Sequence, residues 1–366
     1  MSAAENASSQ RAAAGAMGSG YAEHSGVQHS AEGNGMPMLA RALEAVTLPA
    51  DGRPFRAADL GAAAGTNSLD PMRAVVEGVR ARTAAETPVV VVHTDILAND
   101  FNALLHTVMA TPGSYASMPG VSAFAEARSF YERLFPAGEL HLAWTAIAVH
   151  WLSRLPATLP DHIFCSWATG AAREAFERQA REDWVAFLTH RAAELVTGGQ
   201  LLVVGGASAD DGSSGAEGLM DAANAVLGEL VAAGALSAAE YARTTIPTWN
   251  RTQAEFLAPL QDGPLAQAWR VEEHDLLAAP DTLLAQYERT GDAHAFAEAV
   301  TAFFAAAFGP SLYSALDETR DVDAFASTFT ARLSARIAAD PRSVETHWHV
   351  VLLRLTRLEP TPGASP

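Results

Sequence analysis

Phe55-Arg56-Ala57-Ala58-Asp59-Leu60-Gly61-Ala62-Ala63-Ala64-Gly65 is the stretch on which the fold turns. Its first half reads as a short strand and its second as a glycine-bearing turn, where a ligand can approach the backbone closely. A helix is expected from about Ser68, with Val75, Val76 and Val79 on one face. Val89 to His93 is dominated by β-branched residues, as in a strand buried on both faces of a parallel sheet. Strand, turn, helix and strand in that order predict a doubly wound α/β fold. Asp59, at the strand end, suits a cationic or hydroxylated ligand group. The glycine spacing is not GxGxxG, and no GK[ST] follows, which excludes a P-loop. The residues alone leave two readings open: a nucleoside-type ligand, or a merely structural βα turn. Asp95, two residues past the second strand run, can accept both hydroxyls of a ribose, as NAD and S-adenosylmethionine (SAM) both require, or can serve as a solvated residue or helix N-cap.

Outward from this centre, Leu39, Leu43 and Val46 recur at helical spacing. Further strands are expected at Glu139 to Ala143, Asp161 to Ser166 and Leu201 to Gly205, with a helix over Arg173 to Leu195 that stops at Gly198-Gly199. His347 to Leu358 supplies a last strand. Residues 1–16 offer little to bury and read as a disordered arm. Residues 17–206 and 321–366 are expected to form the sheet-bearing core, and 207–320 a mainly helical cap.

The 366 residues are 49% hydrophobic, enough for a large core. A formal charge of -18, from 42 acidic and 24 basic residues, leaves no general basic surface for phosphates, so neither nucleic acid nor an anionic membrane is an expected partner. Cys165 is the single cysteine, which precludes a disulfide within the chain. The first twenty residues lack the apolar segment of a secretory signal, and the chain reads as cytoplasmic. The apolar run Val300 to Phe308 falls short of the roughly 18 residues that span a bilayer. His347 and His349 would share a strand face, but with no cysteine or acidic cluster tied to them no metal site is expected.

Four separated blocks carry a resemblance. They are Gly20-Tyr21-Ala22-Glu23-His24-Ser25 through Gln28; Asp59 to Asn67; Thr94-Asp95-Ile96-Leu97-Ala98-Asn99-Asp100-Phe101-Asn102; and Ser129-Phe130-Tyr131-Glu132-Arg133-Leu134-Phe135-Pro136 to His150-Trp151-Leu152-Ser153. In order and spacing they resemble the SABATH family, the plant salicylate, benzoate and jasmonate carboxyl methyltransferases with their caffeine-pathway N-methyltransferase relatives. The resemblance implies a Rossmann-like SAM-dependent methyltransferase sheet with a helical cap over the active site. It implies that Ser25, Asp59 and Asn67 hold the methionine end of SAM, Asp95 with Ile96 the ribose and its surroundings, and Ser129 with Phe130 the adenine region. Gln28 and Trp151 would tether a substrate carboxylate, although by composition alone one is a solvated glutamine and the other a core tryptophan. His150 is open between pocket wall, hydrogen-bond donor to the acceptor, and filler. The plant Asp-x-Phe-Asn element associated with magnesium reads Ala242-Arg243-Thr244-Thr245 here, and a lysine common near the plant N-terminus has no counterpart. No magnesium site is expected at that place.

The implied activity is methyl transfer from SAM to the carboxylate of a small hydrophobic acid, aromatic, indolic or similar. Alternatives are methylation of a heterocycle nitrogen or a hydroxyl, an NAD-dependent oxidoreductase, and a non-catalytic ligand-binding protein. Leu227, Trp249, Phe304, Phe308 and Tyr313 are expected to shape the acceptor pocket. A homodimer is left open.

Overall fold

A computed structural model describes Met17 and residues 33–50, 52–84 and 86–359. Among these residues the strands are β1 (Phe55–Leu60), β2 (Val89–Asp95), β3 (Val121–Ala127), β4 (Leu140–Ala146), β5 (Leu195–Ser208), β6 (Arg251–Thr252), β7 (Trp269–Ala278) and β8 (His349–Arg357). They form one sheet in the order β3-β2-β1-β4-β5-β8-β7, with β6 beside β5. The first five strands run parallel, and β8 lies antiparallel to both β5 and β7. Strand order reverses between β1 and β4, so the crevice for a ligand opens at their carboxyl ends.

The main helices are α1 (Met36–Ala45), α2 (Leu69–Arg80), α3 (Phe101–Ala110), α4 (Gly170–Glu194), α5 (Glu217–Ala232), α6 (Thr282–Thr290), α7 (Ala293–Tyr313) and α8 (Val322–Ala339). Alternation along β1 assigns them to layers. Phe55 and Ala57 pack with Leu39 and Leu43 of α1 and with Val75, Val76 and Val79 of α2. Ala58 and Leu60 face the other way, onto Trp184, Phe187 and Leu188 of α4. The alanines let both layers come close to the strand. A third core lies in the cap, where Met220 and Leu227 of α5, Phe296 and Phe304 of α7, and Phe329 and Leu333 of α8 interdigitate.

The structure departs from the sequence reading at four places. Asp161 to Ser166 is not a strand: Ile163, Phe164 and Cys165 plug into the cap core on the way to a short 3₁₀ turn, Cys165–Trp167. The Ile163 carbonyl accepts the Ile246 N–H at 2.8 Å, and the place beside β4 is taken by β5. A short apolar run says only that it is buried, not in what conformation. The edge strand β3, rich in alanine and half exposed, gave no strand signal and pairs with β2 alone. Nor does the division at 206/207 and 320/321 describe the layers, because β7 arises within 207–320 and joins the sheet, whereas α8 packs in the cap with α5 and α7. Finally, α7 is long and apolar enough by length and composition to cross a membrane, a feature hidden by counting unbroken runs; 72% of its apolar window is buried inside this fold. Residues 1–16, expected as an arm, lie outside the described residues.

Candidate active site

The turn after β1 is built around two glycines that tolerate no side chain. Gly61 has φ +86°, and a Cβ there would stand 2.6 Å from the Ala148 Cβ; Gly65 has φ +83°, and a Cβ would stand 2.7 Å from Leu104 Cδ1. Ala63 between them is also left-handed, at φ 46°. It is held from both sides, its N–H donating to Asp95 Oδ2 at 2.7 Å and its carbonyl accepting the Asn99 side-chain amide at 2.8 Å. Asp95 therefore shapes the turn from the end of β2, and its Oδ1 accepts the Ile96 N–H at 2.8 Å. Each carboxylate oxygen has one backbone donor and room for another. Burial pushes this carboxyl up to about 6, with the nearby Asp59 charge adding to the effect.

Asp59 sits at the head of a buried chain. Its Oδ2 accepts the Ser68 hydroxyl and pairs with His93 Nδ1 at 2.8 Å, while His93 Nε2 meets the Tyr115 hydroxyl. Burial, aided by Asp59, raises the Tyr115 hydroxyl well above the usual phenol range. Both inward partners of Asp59 use one oxygen, and Asp59 itself lines the cavity above. His93 and Tyr115 were not foreseen as site residues. The signal was present in part, because registering β1 against β2 sets Asp59 beside His93.

These groups frame a cavity of about 220 Å³ whose walls include Asp59, Asn67, Asp95, Ile96, Ser129, Phe130 and Trp151. Seven positions drawn from separate sequence blocks thus meet in one place. Ser25 and Gln28 lie outside the described residues. Ser129 and Phe130 come from the β3–β4 connection, which is gripped from below by a buried ion pair. Arg191, fully buried, donates to the carbonyls of Phe130 and Glu132 at 2.9 and 3.0 Å and pairs with Glu194 at 2.8 Å. Glu194 Oε1 in turn accepts the N–H groups of Leu134 and Phe135. The sequence reading placed both residues on the α4 helix without this duty.

Trp151 follows β4. Its N–H donates to the Ala148 carbonyl at 3.0 Å, its carbonyl accepts the Tyr131 hydroxyl at 2.7 Å, and it bridges to Thr248. With the backbone so tied, the indole N–H has no acceptor among the described residues and the side chain lines two cavities. The second, of about 60 Å³, shares Met17, Ile147 and Trp151 with the first and adds His150, Asn250, Phe303, Phe308, Trp348 and His349. Ile147, between them, adopts φ 49°, an outlier for a β-branched residue, and its N–H donates to the Val204 carbonyl at 2.7 Å. Strain of this kind persists only where surrounding structure enforces it, and it clusters at ligand sites.

His150 is a wall of this second cavity, and burial, with the Arg251 charge beside it, drops its imidazole to about 4. Of the residues expected to shape the acceptor pocket, Phe308 does so. Leu227 and Phe304 are spent in the cap core, Trp249 stacks on Phe176 with its indole donating to Glu255, and Tyr313 packs edge-on against Phe325. His347 pairs with Glu345 at the surface whereas His349 lines the cavity, so the two do not share a face. Among the described residues no three His, Cys, Asp or Glu side chains gather as metal ligands.

The arrangement fits SAM: a glycine cradle, two carboxylates and an aromatic wall, with no lysine or arginine among the described residues lining the cavity to meet a phosphate. Comparison with known proteins agrees. A family profile described as "SAM dependent carboxyl methyltransferase" matches residues 8–357. The chain is 33% identical over 269 residues to the O-methyltransferase acrG of Aspergillus aculeatus, covering 69% of this chain and 68% of that protein. It is 32% identical over 183 residues to gibberellic acid methyltransferase 2 of Arabidopsis thaliana, covering 46% and 47%. Among solved structures, a loganic acid methyltransferase with SAH superposes with a TM-score of 0.76 at 20% identity, over 93% of this chain and 96% of that one, a likeness of fold.

Proposed function

The chain belongs to the SAM-dependent carboxyl methyltransferase family, and from that premise we propose how it binds and orients its acceptor, a small hydrophobic acid of aromatic, indolic or similar kind. The carboxylate meets the indole N–H of Trp151, with the Gln28 amide as second donor, and the apolar body of the acid extends into the cavity walled by Phe303, Phe308 and Trp348. The observation that carries this reading is Trp151, whose indole donor has no acceptor among the described residues and whose ring lines both the cofactor-type cavity and the smaller apolar one. Relatives named for gibberellic and loganic acid support an acid acceptor.

SAM supplies an electrophilic methyl group on a sulfonium. The protein's share is positioning, because a carboxylic acid of pKa about 4 is already the nucleophilic anion at neutral pH and needs no base. Holding acceptor oxygen and methyl carbon in line is worth on the order of 7 to 11 kcal/mol. Trp151 orients the acid, Ile147 separates the two cavities, and the cap aromatics exclude water. His150, held neutral, is a wall and hydrogen-bonding group rather than an acid at pH 7. The acidic balance of the chain supports a small-molecule partner over nucleic acid or membrane. A cytoplasmic location and a homodimer complete the proposal; fractionation and light scattering test them.

The test of the acceptor chemistry compares an accepted acid with its uncharged amide or alcohol. Wild type should turn over the acid alone, and Trp151→Phe, which keeps the apolar bulk, should lose about 1.5 to 3 kcal/mol in kcat/KM for it. Equal turnover of the uncharged analogue, or an unchanged preference in the variant, overturns the carboxylate tether.

A further inference from the structure

His93 breaks the pattern of its own strand. Alternation along β2 sets Val89, Val91 and His93 on one face, and the two valines pack in the apolar layer formed with α1 and α2. A third aliphatic side chain would continue that layer, whereas a fully buried imidazole is costly unless its ring nitrogens find partners. Both do. Nδ1 meets Asp59 Oδ2 at 2.8 Å, and Nε2 meets the Tyr115 hydroxyl. Tyr115, also fully buried, opens a 3₁₀ turn, Tyr115–Ser117, which Ser114 fastens to α3 by donating to the Val108 carbonyl at 2.5 Å.

The direction of these hydrogen bonds is fixed by the protons available. Among the described residues the Tyr115 hydroxyl has no acceptor but His93 Nε2, so the phenol donates there and the ring proton sits on Nδ1, which donates to Asp59. Ser68 donates to the same Asp59 oxygen. It stands at the N-cap of α2 yet makes no capping bond, since its hydroxyl is spent on Asp59 and Pro71, third in the helix, has no N–H to offer. Oδ2 thus has two donors for its two lone pairs, and the carboxylate cannot turn without losing both. Oδ1 is the oxygen left for the cavity that Asp59 lines. No lysine or arginine among the described residues lines that cavity to compete for it.

We propose that His93 and Tyr115 are positioning residues for the amino-acid end of the cofactor: acting through Asp59, and without touching SAM themselves, they select its α-ammonium. The inference rests on Asp59 holding the methionine end of SAM and is independent of which acceptor is methylated. A carboxylate free to rotate must be ordered when the ammonium arrives, whereas one pinned through Oδ2 already presents Oδ1 in a fixed direction and avoids that cost. Hydrogen bonds between charged groups are the ones for which such fixing matters most, because they are the strongest and depend on geometry.

Calorimetry on the full chain compares SAH with its desamino analogue, which lacks only the α-amino group. His93→Leu should weaken SAH about tenfold and the analogue about twofold or less, and Tyr115→Phe should show the same selectivity at about threefold. His93→Asn, which keeps an N–H donor near the place of Nδ1, should bind SAH within about threefold of wild type. Equal loss of both ligands in Tyr115→Phe or in a folded His93→Leu marks a merely structural role and overturns the proposal, as does unchanged SAH affinity in both. Should His93→Leu fail to fold, Tyr115→Phe and His93→Asn decide by the same criterion. Asp59→Asn separates premise from inference, since it should remove most of the preference of wild type for SAH over the analogue. A preference that is absent from wild type or survives Asp59→Asn refutes the premise and leaves the two residues nothing to position. A preference lost in Asp59→Asn but untouched in the other variants keeps the premise and overturns the inference alone.

Discussion

We propose two jobs for the one carboxylate of Asp95. It braces the left-handed Ala63 through Oδ2 and, on the reading proposed here, receives ribose hydroxyls on the lone pairs that remain. Asp95→Ala should weaken SAM binding by about 1.5 to 3 kcal/mol in calorimetry, the range for hydrogen bonds to a charged group. The pH dependence follows from the raised pKa. Hydroxyl donors favour the ionised form, which is present above about 6 and lost as pH falls through that value. SAM affinity should accordingly decline below pH 6, and Asp95→Asn should flatten the decline; a wild-type affinity constant from pH 7 to 5 counts against the role. Stability moves the other way. Because the folded pKa lies above the ordinary aspartate value of about 4, the folded chain binds the extra proton, and this group's contribution to stability falls as pH rises from there to about 6.

At the scale of an element, the β3–β4 connection is positioned by the foot of α4 rather than by its own packing alone. Arg191 and Glu194, three residues apart on one helical face, satisfy four backbone groups of residues 130–135 between them. Removing one partner strands the other as a buried charge, which typically costs 3 to 5 kcal/mol. Arg191→Leu should show a loss of that size in chemical denaturation, and SAM affinity should drop with it, since Phe130 loses its anchor. Unchanged affinity in a folded variant would mean that the loop holds its shape unaided. The turn after β1 makes a matching prediction. Gly65→Ala forces a left-handed side chain against Leu104, and should cost on the order of 1 to 3 kcal/mol in the same measurement while reducing cofactor affinity.

At the scale of the whole molecule, cofactor binding ties together separate parts of the sheet and its connections, because the cavity walls come from β1, β2, the β3–β4 connection and the segment after β4. SAM or SAH at 100 times its dissociation constant should add about 2.7 kcal/mol to stability and raise Tm, whereas NAD should leave it unchanged; a shift with NAD alone would contradict the site's chemistry. Local sequence was sufficient for the elements whose signal is local. The β1 turn rests on glycines that steric rules demand and the Val89 to Val92 run on its own β-branched bulk, whereas α4 is found where expected but ends at Glu194, with Gly198 inside β5 rather than at a helix stop. The blocks that matched a known pattern likewise gave seven of the cavity's residues before any coordinates. What local sequence left open depends on contacts between distant segments. Ile163 to Cys165 is as apolar as a strand and is buried in the cap instead, and β7, whose apolar residues are interrupted by Arg270, Glu272, Glu273 and Asp275, pairs with β8 at the sheet edge. The Asp59–His93–Tyr115 chain and the walls of the second cavity each join residues far apart in the chain. Burial, register and an unpaired donor are properties of a neighbourhood, and only the tertiary structure decides who the neighbours are.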